Sequence, residues 1–368
     1  MPSTLLGPPK RRVCDGLKWA SSHPAQASVR LVLDPEPIAV PRPPRTRHGT
    51  DPLNLLTTAL TPVSHRRYVV ELRGARIAGR FGTVVLPDDG ILVESLHSDL
   101  QYVGWDDVYY RCKLPALSDH AGNHVLLTAL FADGYHEWLI YNLPRLVAYR
   151  AANLSDDCTY LVPARMAPWQ WASLEVAGIP PSACVPFDDR HWRLERLMFA
   201  TMASIRPARS TCEWLRGLAK TVVRGAQAQR ARIYISRALA NTRRVLNEAE
   251  VIGLLAKRGF TSYRLEDMRW LDQVRLFADA EIVVGAHGAG FTNCVFSQPG
   301  TRIIEFIEPS YVYPCFYWQA LACDQEYWYL VGTTERGTIR DGRHGYDLTV
   351  NIDELSGVVD GLLEPRRG

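Results

Sequence analysis

Between residues 233 and 306 short apolar runs alternate with helix-length segments, and this pattern constrains the fold more than any other feature of the chain. Ile233-Tyr234-Ile235-Ser236 reads as a strand. Asn247 then caps a helix through Ala249, Val251, Ile252, Leu254 and Leu255, which Gly259 stops. A second strand is expected over Thr261 to Leu265, a second helix over Leu271 to Ala280, and a third strand at Ile282-Val283-Val284. Gly285 to Gly290 opens a further helix that ends at Pro299-Gly300, and Arg302 to Phe306 is the fourth strand. Strands and helices in this order specify an α/β class, with a parallel sheet covered on both faces.

The chain has 368 residues, enough for two domains of ordinary size. Tyr68 to Leu72 and Gly82 to Leu86 alternate as strands do, and Val125 to Leu130 leads through a loop into a helical pattern that includes Leu146, Val147 and Tyr149. Thr159 to Val162 and Ala167 to Ala177 repeat that strand-then-helix theme before Gly178-Ile179-Pro180-Pro181. Prolines between Pro35 and Pro44, followed by Arg45-Thr46-Arg47-His48, exclude a helix there and read as an extended lead-in. The division expected is an N-terminal arm over 1–60, an α/β domain over 61–215, a Rossmann-like domain over 216–345 and a tail or helix over 346–368. The helical pattern from Arg209 to Gln229 links the two domains.

Forty-two Lys and Arg against 39 Asp and Glu leave a net charge of +3, too small a surplus to argue for nucleic-acid binding. The apolar fraction of 47% is that of a packed globular chain. Eight cysteines stand without a CxxC pair or a Cys/His cluster and read as reduced thiols. No run approaches the ~20 apolar residues of a membrane span. A cytoplasmic location is expected, and the basic passage Arg42 to Arg47 leaves peripheral association with the inner face of a membrane open.

The Gly-rich turn at 285–290 follows an apolar strand and precedes a helix. Unpaired amides at a helix start carry the positive end of the helix dipole and can cradle a phosphate. The turn lacks the Lys-Ser/Thr of a P-loop and the GxGxxG of a dinucleotide fold. Ligands of open parallel sheets bind beyond the carboxyl ends of the strands. Here those ends carry Arg237, Arg243 and Arg244 after the first strand, His287 after the third, and Glu305 on the fourth. Arginine grips phosphate in a fork, and a strand-end carboxylate accepts from ribose hydroxyls. A solvated loop is the competing reading for Arg243 and Arg244.

The stretches RIYISRALANTRRVLNEAEVIGLLAKRGF and LDQVRLFADAEIVVGAHGAGFTNCVFSQPGTRIIEF resemble the C-terminal region of glycosyltransferase family 61. That family includes plant xylan xylosyl- and arabinosyltransferases, animal O-linked N-acetylglucosamine transferases and bacterial members tied to surface polysaccharides; this chain resembles a bacterial-type member. The resemblance implies a GT-B fold, two Rossmann-like domains facing across a cleft, and inverting transfer from a nucleotide diphosphate sugar, uridine-linked, without a metal or other cofactor. No Asp-x-Asp pair stands at a strand end, and Asp156-Asp157 and Asp188-Asp189 are expected in loops. The diphosphate would then be neutralised by Arg237, Arg244 and the amides of Gly288, Ala289 and Gly290, with Arg243 nearby and His287 touching phosphate or sugar. Asn293 lines the same pocket or else caps or packs its helix.

ADGYHEWLIYNLPRL is similar to the family's N-terminal motif, in which a His, an aromatic two positions on and a Pro eight positions on recur; here these are His136, Trp138 and Pro144. Inverting transfer needs a general base, and His136 and Glu137 are the candidates, with Asp133 where the family commonly has Asn. The alternatives are a helix-start histidine bonded to backbone and a first-turn carboxylate. Trp105 and Trp138 are the probes of the acceptor side, whereas the aromatics from Tyr311 to Tyr329 fit a core better than a sugar platform. The function expected is transfer to a glycan or lipid-linked polysaccharide acceptor. An inactive nucleotide-sugar-binding protein and a nucleotide-sugar epimerase are the other readings of the same fold.

Overall fold

A computed structural model describes residues 13–36, 39, 42–47, 51–60, 67–96, 108, 111, 113–154, 157–202, 206–223, 230–334 and 345–364. The chain forms two compact units, one from residues 1–37 and 63–207 and the other from 38–62 and 208–368. Trp105 and Asp156 lie outside the described residues. No helix among the described residues is long and apolar enough to cross a membrane.

The first unit is built on a 10-stranded mixed sheet. Its elements are β1 (Val13–Cys14), α1 (Gly16–Ser22), β2 (Ala27–Leu33), β3 (Arg67–Arg73), β4 (Arg76–Ala78), β5 (Thr83–Val85), β6 (Ile91–Leu92), β7 (Leu117–Leu126), α2 (Tyr135–Glu137), α3 (Arg145–Ala151), β8 (Thr159–Pro163), α4 (Pro168–Val176), β9 (Cys184–Phe187) and β10 (His191–Ala200). The order is β1-β6-β5-β4-β10-β7-β8-β9, with β3 on β10 and β2 on β3. β10, β7, β8 and β9 run parallel to one another, as do β1 and β6. The Rossmann-like pattern expected here therefore covers the end of the sheet made by the strand-helix repeats and gives way to antiparallel pairing on β3 and β4.

Residues 13–33, expected to belong to an extended arm, are instead folded into this unit. Trp19, Ala20 and Ala27 are buried with Tyr68, Val70 and Leu72, and β2 pairs antiparallel with β3. Among the described residues of this passage, 35–36, 39 and 42–47, none is helical, and Arg45 is docked. Arg45 N–H donates to the Tyr327 carbonyl at 3.0 Å and its own carbonyl accepts from Tyr329 N–H at 3.0 Å, in the second unit. Arg42 and Arg45 pair with Asp324 at 3.1 Å and Glu326 at 3.4 Å, so acidic side chains of the protein already serve these cations.

The second unit holds α5 (Arg209–Val222), β11 (Ala231–Ile235), α6 (Glu248–Ala256), β12 (Thr261–Tyr263), α7 (Trp270–Ala278), β13 (Ala280–Ala286), a 3₁₀ helix (Ala289–Phe296), β14 (Arg302–Ile307), α8 (Cys315–Ala322), β15 (Glu326–Val331) and α9 (Ile352–Leu363). The boundary expected at 215 falls inside α5, which belongs to this unit from its first turn. Five parallel strands stand in the order β12-β11-β13-β14-β15. Val251 and Leu255 of α6 and Leu355, Val358, Val359 and Leu362 of α9 pack on Tyr234, Ile282, Val284, Ile304 and Phe306. The alternate strand residues point to the other face, where Tyr327 meets Tyr317 of α8 with ring centroids 5.3 Å apart. Asn247 stands before α6, but its amide makes no cap; it exchanges hydrogen bonds of 2.9 and 3.0 Å with the Val350 backbone. The segment before α9 is thereby tied to the start of α6.

Candidate functional site

The second unit's sheet changes direction between β11 and β13, because the chain goes outward from β11 to β12 and then returns to the other side of β11. The loops leaving β11 and β13 diverge at such a switch point and leave a crevice, the usual ligand position in an open α/β sheet. Arg237 follows β11 there and Gly288 follows β13. A methyl group built on Gly288 would lie 1.9 Å from Arg237 Nη1. The space that glycine leaves is thus filled by the protein's own guanidinium. At Gly290 the same space is closed by Leu265 and Ile235 at 2.9 and 3.3 Å, a packing requirement on that residue.

Arg237 bonds main-chain oxygens, Nη2 to Thr242 at 2.8 Å and Nε to Arg243 at 3.2 Å. Arg243 in turn donates from Nε to the His287 carbonyl at 2.9 Å and lies over the Tyr311 ring at 4.7 Å. Burial, and then the charge of Arg243, push Arg237 down to about 10. Burial also lowers Arg243. Two guanidinium groups held close together on backbone carbonyls form a positive concentration that an anion would relieve.

His287 and Glu305 are 5% and 1% exposed. His287 Nδ1 and Glu305 Oε1 are 2.5 Å apart, and the Tyr327 hydroxyl donates to Glu305 Oε2. Burial, then the adjacent carboxylate, raise Tyr327 well above the usual phenol range, so it stays a donor. The His287 ring is also packed against Tyr311 and Phe316, with centroids 5.5 and 5.0 Å away. A carboxylate on Nδ1 fixes ring orientation and leaves Nε2 as the other functional nitrogen. Both Glu305 oxygens are therefore committed inward, because the strand alternation that buries Ile304 and Phe306 on one face turns Glu305 to the other. Each oxygen keeps a second lone pair, so a ribose hydroxyl would have to share Glu305 with His287 or Tyr327.

The helix expected after Gly290 is the 3₁₀ helix named above, ending at Phe296. Its first internal bond is Phe291 N–H to the Gly288 carbonyl at 3.0 Å, so the Gly288, Ala289 and Gly290 amides precede the hydrogen-bonded turn, as a phosphate cradle requires. Asn293 lies in this helix fully buried and donates to Gln273 Oε1 at 3.0 Å, which is the packing alternative. Arg244 is held by Asp347, whose carboxylate also acts on Arg237. Its Nε and Nη2 bind Asp347 Oδ2 at 2.9 and 2.6 Å, and its N–H binds Oδ1 at 2.9 Å. The structure thus joins Arg237, Arg243, His287, Gly288 and Glu305, and adds Tyr311, Phe316 and Tyr327.

In the first unit, Gly134 caps α2, and Trp138–Asn142 continues it as a π turn closed by Leu143 N–H to the Trp138 carbonyl at 2.8 Å. Such turns are frequent at functional sites. His136 is buried with its ring edge-on to Tyr141 at 5.4 Å. Glu137 folds back over the helix start, where a methyl group on Gly134 would lie 2.3 Å from its Oε2; this is the first-turn carboxylate geometry. Burial, then Asp133, raise Glu137 above its ordinary value. Asp133 pairs with Arg80 at 2.8 Å. Trp138 cannot serve as an acceptor-side platform, since it is fully buried and its indole N–H donates to Ser173 Oγ at 2.8 Å. Asp188-Asp189, expected in a loop, follows β9 directly. Among the described residues no group of His, Cys, Asp and Glu is arranged to hold a metal ion.

A family model described as Glycosyltransferase 61 matches residues 135–304, from the start of α2 to the middle of β14. That segment is a glycosyltransferase 61 domain. Over 52 residues the chain is 44% identical to a beta-1,2-xylosyltransferase of Arabidopsis thaliana, an alignment covering 14% of this chain and 10% of that protein. Over 58 residues it is 38% identical to the beta-1,2-xylosyltransferase RCN11 of Oryza sativa subsp. japonica, covering 15% and 11%. The chain thus aligns with about a tenth of the length of these relatives.

Proposed function

We propose that the protein is an inverting, metal-independent glycosyltransferase of GT-B architecture. It would transfer a sugar from a nucleotide diphosphate donor, uridine-linked, to a glycan or lipid-linked saccharide in the cytoplasm. The observation that carries this reading is the pair Arg237 and Arg243 beside the Gly288 to Gly290 amides, at a switch point whose strands β11 and β13 lie within the matched glycosyltransferase 61 segment. Departure of the nucleoside diphosphate builds negative charge on its oxygens. Guanidinium groups and main-chain amides already in place stabilise that charge without reorganising. His287, oriented through Glu305 and Tyr327, presents Nε2 to the phosphate or the sugar.

On this reading the first unit supplies the acceptor side. Glu137, raised by burial, has the property wanted of a group that takes a proton near neutral pH, with His136 the second candidate. One observation favours a binder without turnover: Glu137 is folded over Gly134 and Asp133 is tied to Arg80. Incubation with a panel of nucleotide sugars, with and without saccharide acceptors, separates the two. Release of nucleoside diphosphate that Glu137→Gln or His136→Ala slows by about a hundredfold or more supports the transferase. Tight donor binding with no release under any acceptor supports the binder.

A further inference from the structure

The first unit contains a cleft of about 440 Å³, within the range of small-ligand sites. It lies beyond the carboxyl ends of the parallel strands β7, β8 and β9, where Asp133, Arg165, Asp188 and Asp189 leave the sheet, and Arg80 and Phe81 from the β4–β5 turn close one side. This is the same topological position that ligands take in parallel sheets generally.

The charges lining this cleft are unequally matched. Asp133 is paired with Arg80 at 2.8 Å, Asp188 with Arg190 at 2.7 Å, and Asp189 with both Nη atoms of Arg111 at 2.6 and 2.8 Å. Each carboxylate thus has its own guanidinium. Arg165, which is exposed, has no acceptor among the described residues. A neutral sugar would be served by the carboxylates, which accept from hydroxyls, and by the Phe81 ring for its C–H face. It would leave the Arg165 fork without a partner, whereas a carboxylate or phosphate oxygen pair matches that fork.

We propose that this cleft takes the acceptor and selects a saccharide bearing an anionic group, a carboxylate or a phosphate, through Arg165. The assignment of the ligand as acceptor rests on the transferase reading above; the preference for an acidic saccharide rests on the cleft alone. The test is a calorimetric titration of the full chain at low salt with three oligosaccharides of equal length, one neutral, one ending in a uronate and one in a sugar phosphate. At least one acidic ligand should bind about tenfold tighter than the neutral one, the scale of a charge-assisted contact discounted for its exposure. Arg165→Gln should erase that difference while leaving neutral-ligand and uridine diphosphate binding unchanged, and Arg165→Lys should restore part of it. Whichever acid binds identifies the group that is read. Equal affinity for all three ligands, or a preference that survives Arg165→Gln, overturns the proposal. If uridine diphosphate fails to bind the wild type while the acidic preference holds, the transferase reading falls and the saccharide site stands.

Discussion

Replacing Tyr327 by Phe removes one oxygen atom and leaves the ring against Tyr317, so its effect isolates the hydroxyl's bond to Glu305. Tyr327 and Glu305 are 5% and 1% exposed, and water cannot readily take the hydroxyl's place. A hydrogen bond to a charged group contributes about 1.5–3 kcal/mol, with the larger values where the partner is left buried and unmatched. At about 2–4 °C per kcal/mol for a domain of this size, the second unit should melt about 3–12 °C lower. Thermal unfolding and urea denaturation of wild type, Tyr327→Phe, Glu305→Gln and the double variant give the coupling between the two groups. It should exceed about 1 kcal/mol, because each single change strands the other's partner. Additive effects, or a melting temperature for Tyr327→Phe unchanged to within about 1 °C, would refute the chain from Tyr327 through Glu305 to His287.

Gly288→Ala should push the Arg237 guanidinium from its place and weaken uridine diphosphate binding by about tenfold, roughly the 1.4 kcal/mol of one strong contact, read by calorimetry. Arg244→Ala should lower the melting temperature while leaving uridine diphosphate affinity within error of wild type, since that side chain serves Asp347. Glu137 has a folded value raised by burial, so its contribution favours folding at acid pH and is lost as pH rises from the ordinary 4.5 through the raised value. Glu137→Gln should therefore gain stability relative to wild type at pH 7 and show little gain below pH 4.5 in denaturant titrations. Trp138→Ala should cost about 3–5 kcal/mol, chiefly through the cavity, since the Ser173 hydroxyl keeps its bond to the Gln170 carbonyl; the same titration measures it.

Short β-branched runs such as Ile282-Val283-Val284 and Ile303-Ile304, set between helix-length segments and bounded by Gly and Pro, read as buried strands, which is why the parallel sheet was legible. The strand Ala27–Leu33 was not: exposed Ser28, Val29 and Arg30 blur its alternation, and only its pairing with β3 makes it a strand. The aromatic segment Glu326–Val331 reads as core filling and is that, yet it is also the edge strand that carries Tyr327. At the candidate site, Arg237, His287 and the glycine turn are visible as local motifs at strand ends. Their engagements are not, because they join distant positions: Arg244 meets Asp347, 103 residues away, and Glu305 meets Tyr327, 22 residues away. Local patterns also show which residues lie at a strand end but not which partners they take, and the bonds of Glu305 to His287 and Tyr327 are for that reason not visible in the sequence.

Titration of uridine diphosphate into wild type and Arg237→Ala, each in excess chelator, decides whether the crevice between Arg237 and Gly288 holds a diphosphate unaided by a metal ion. The wild type should bind without a divalent ion and the variant should lose at least about tenfold in affinity, as fits a partly buried guanidinium facing a phosphate. Wild-type binding that needs a metal ion, or equal affinity in the two proteins, would contradict it.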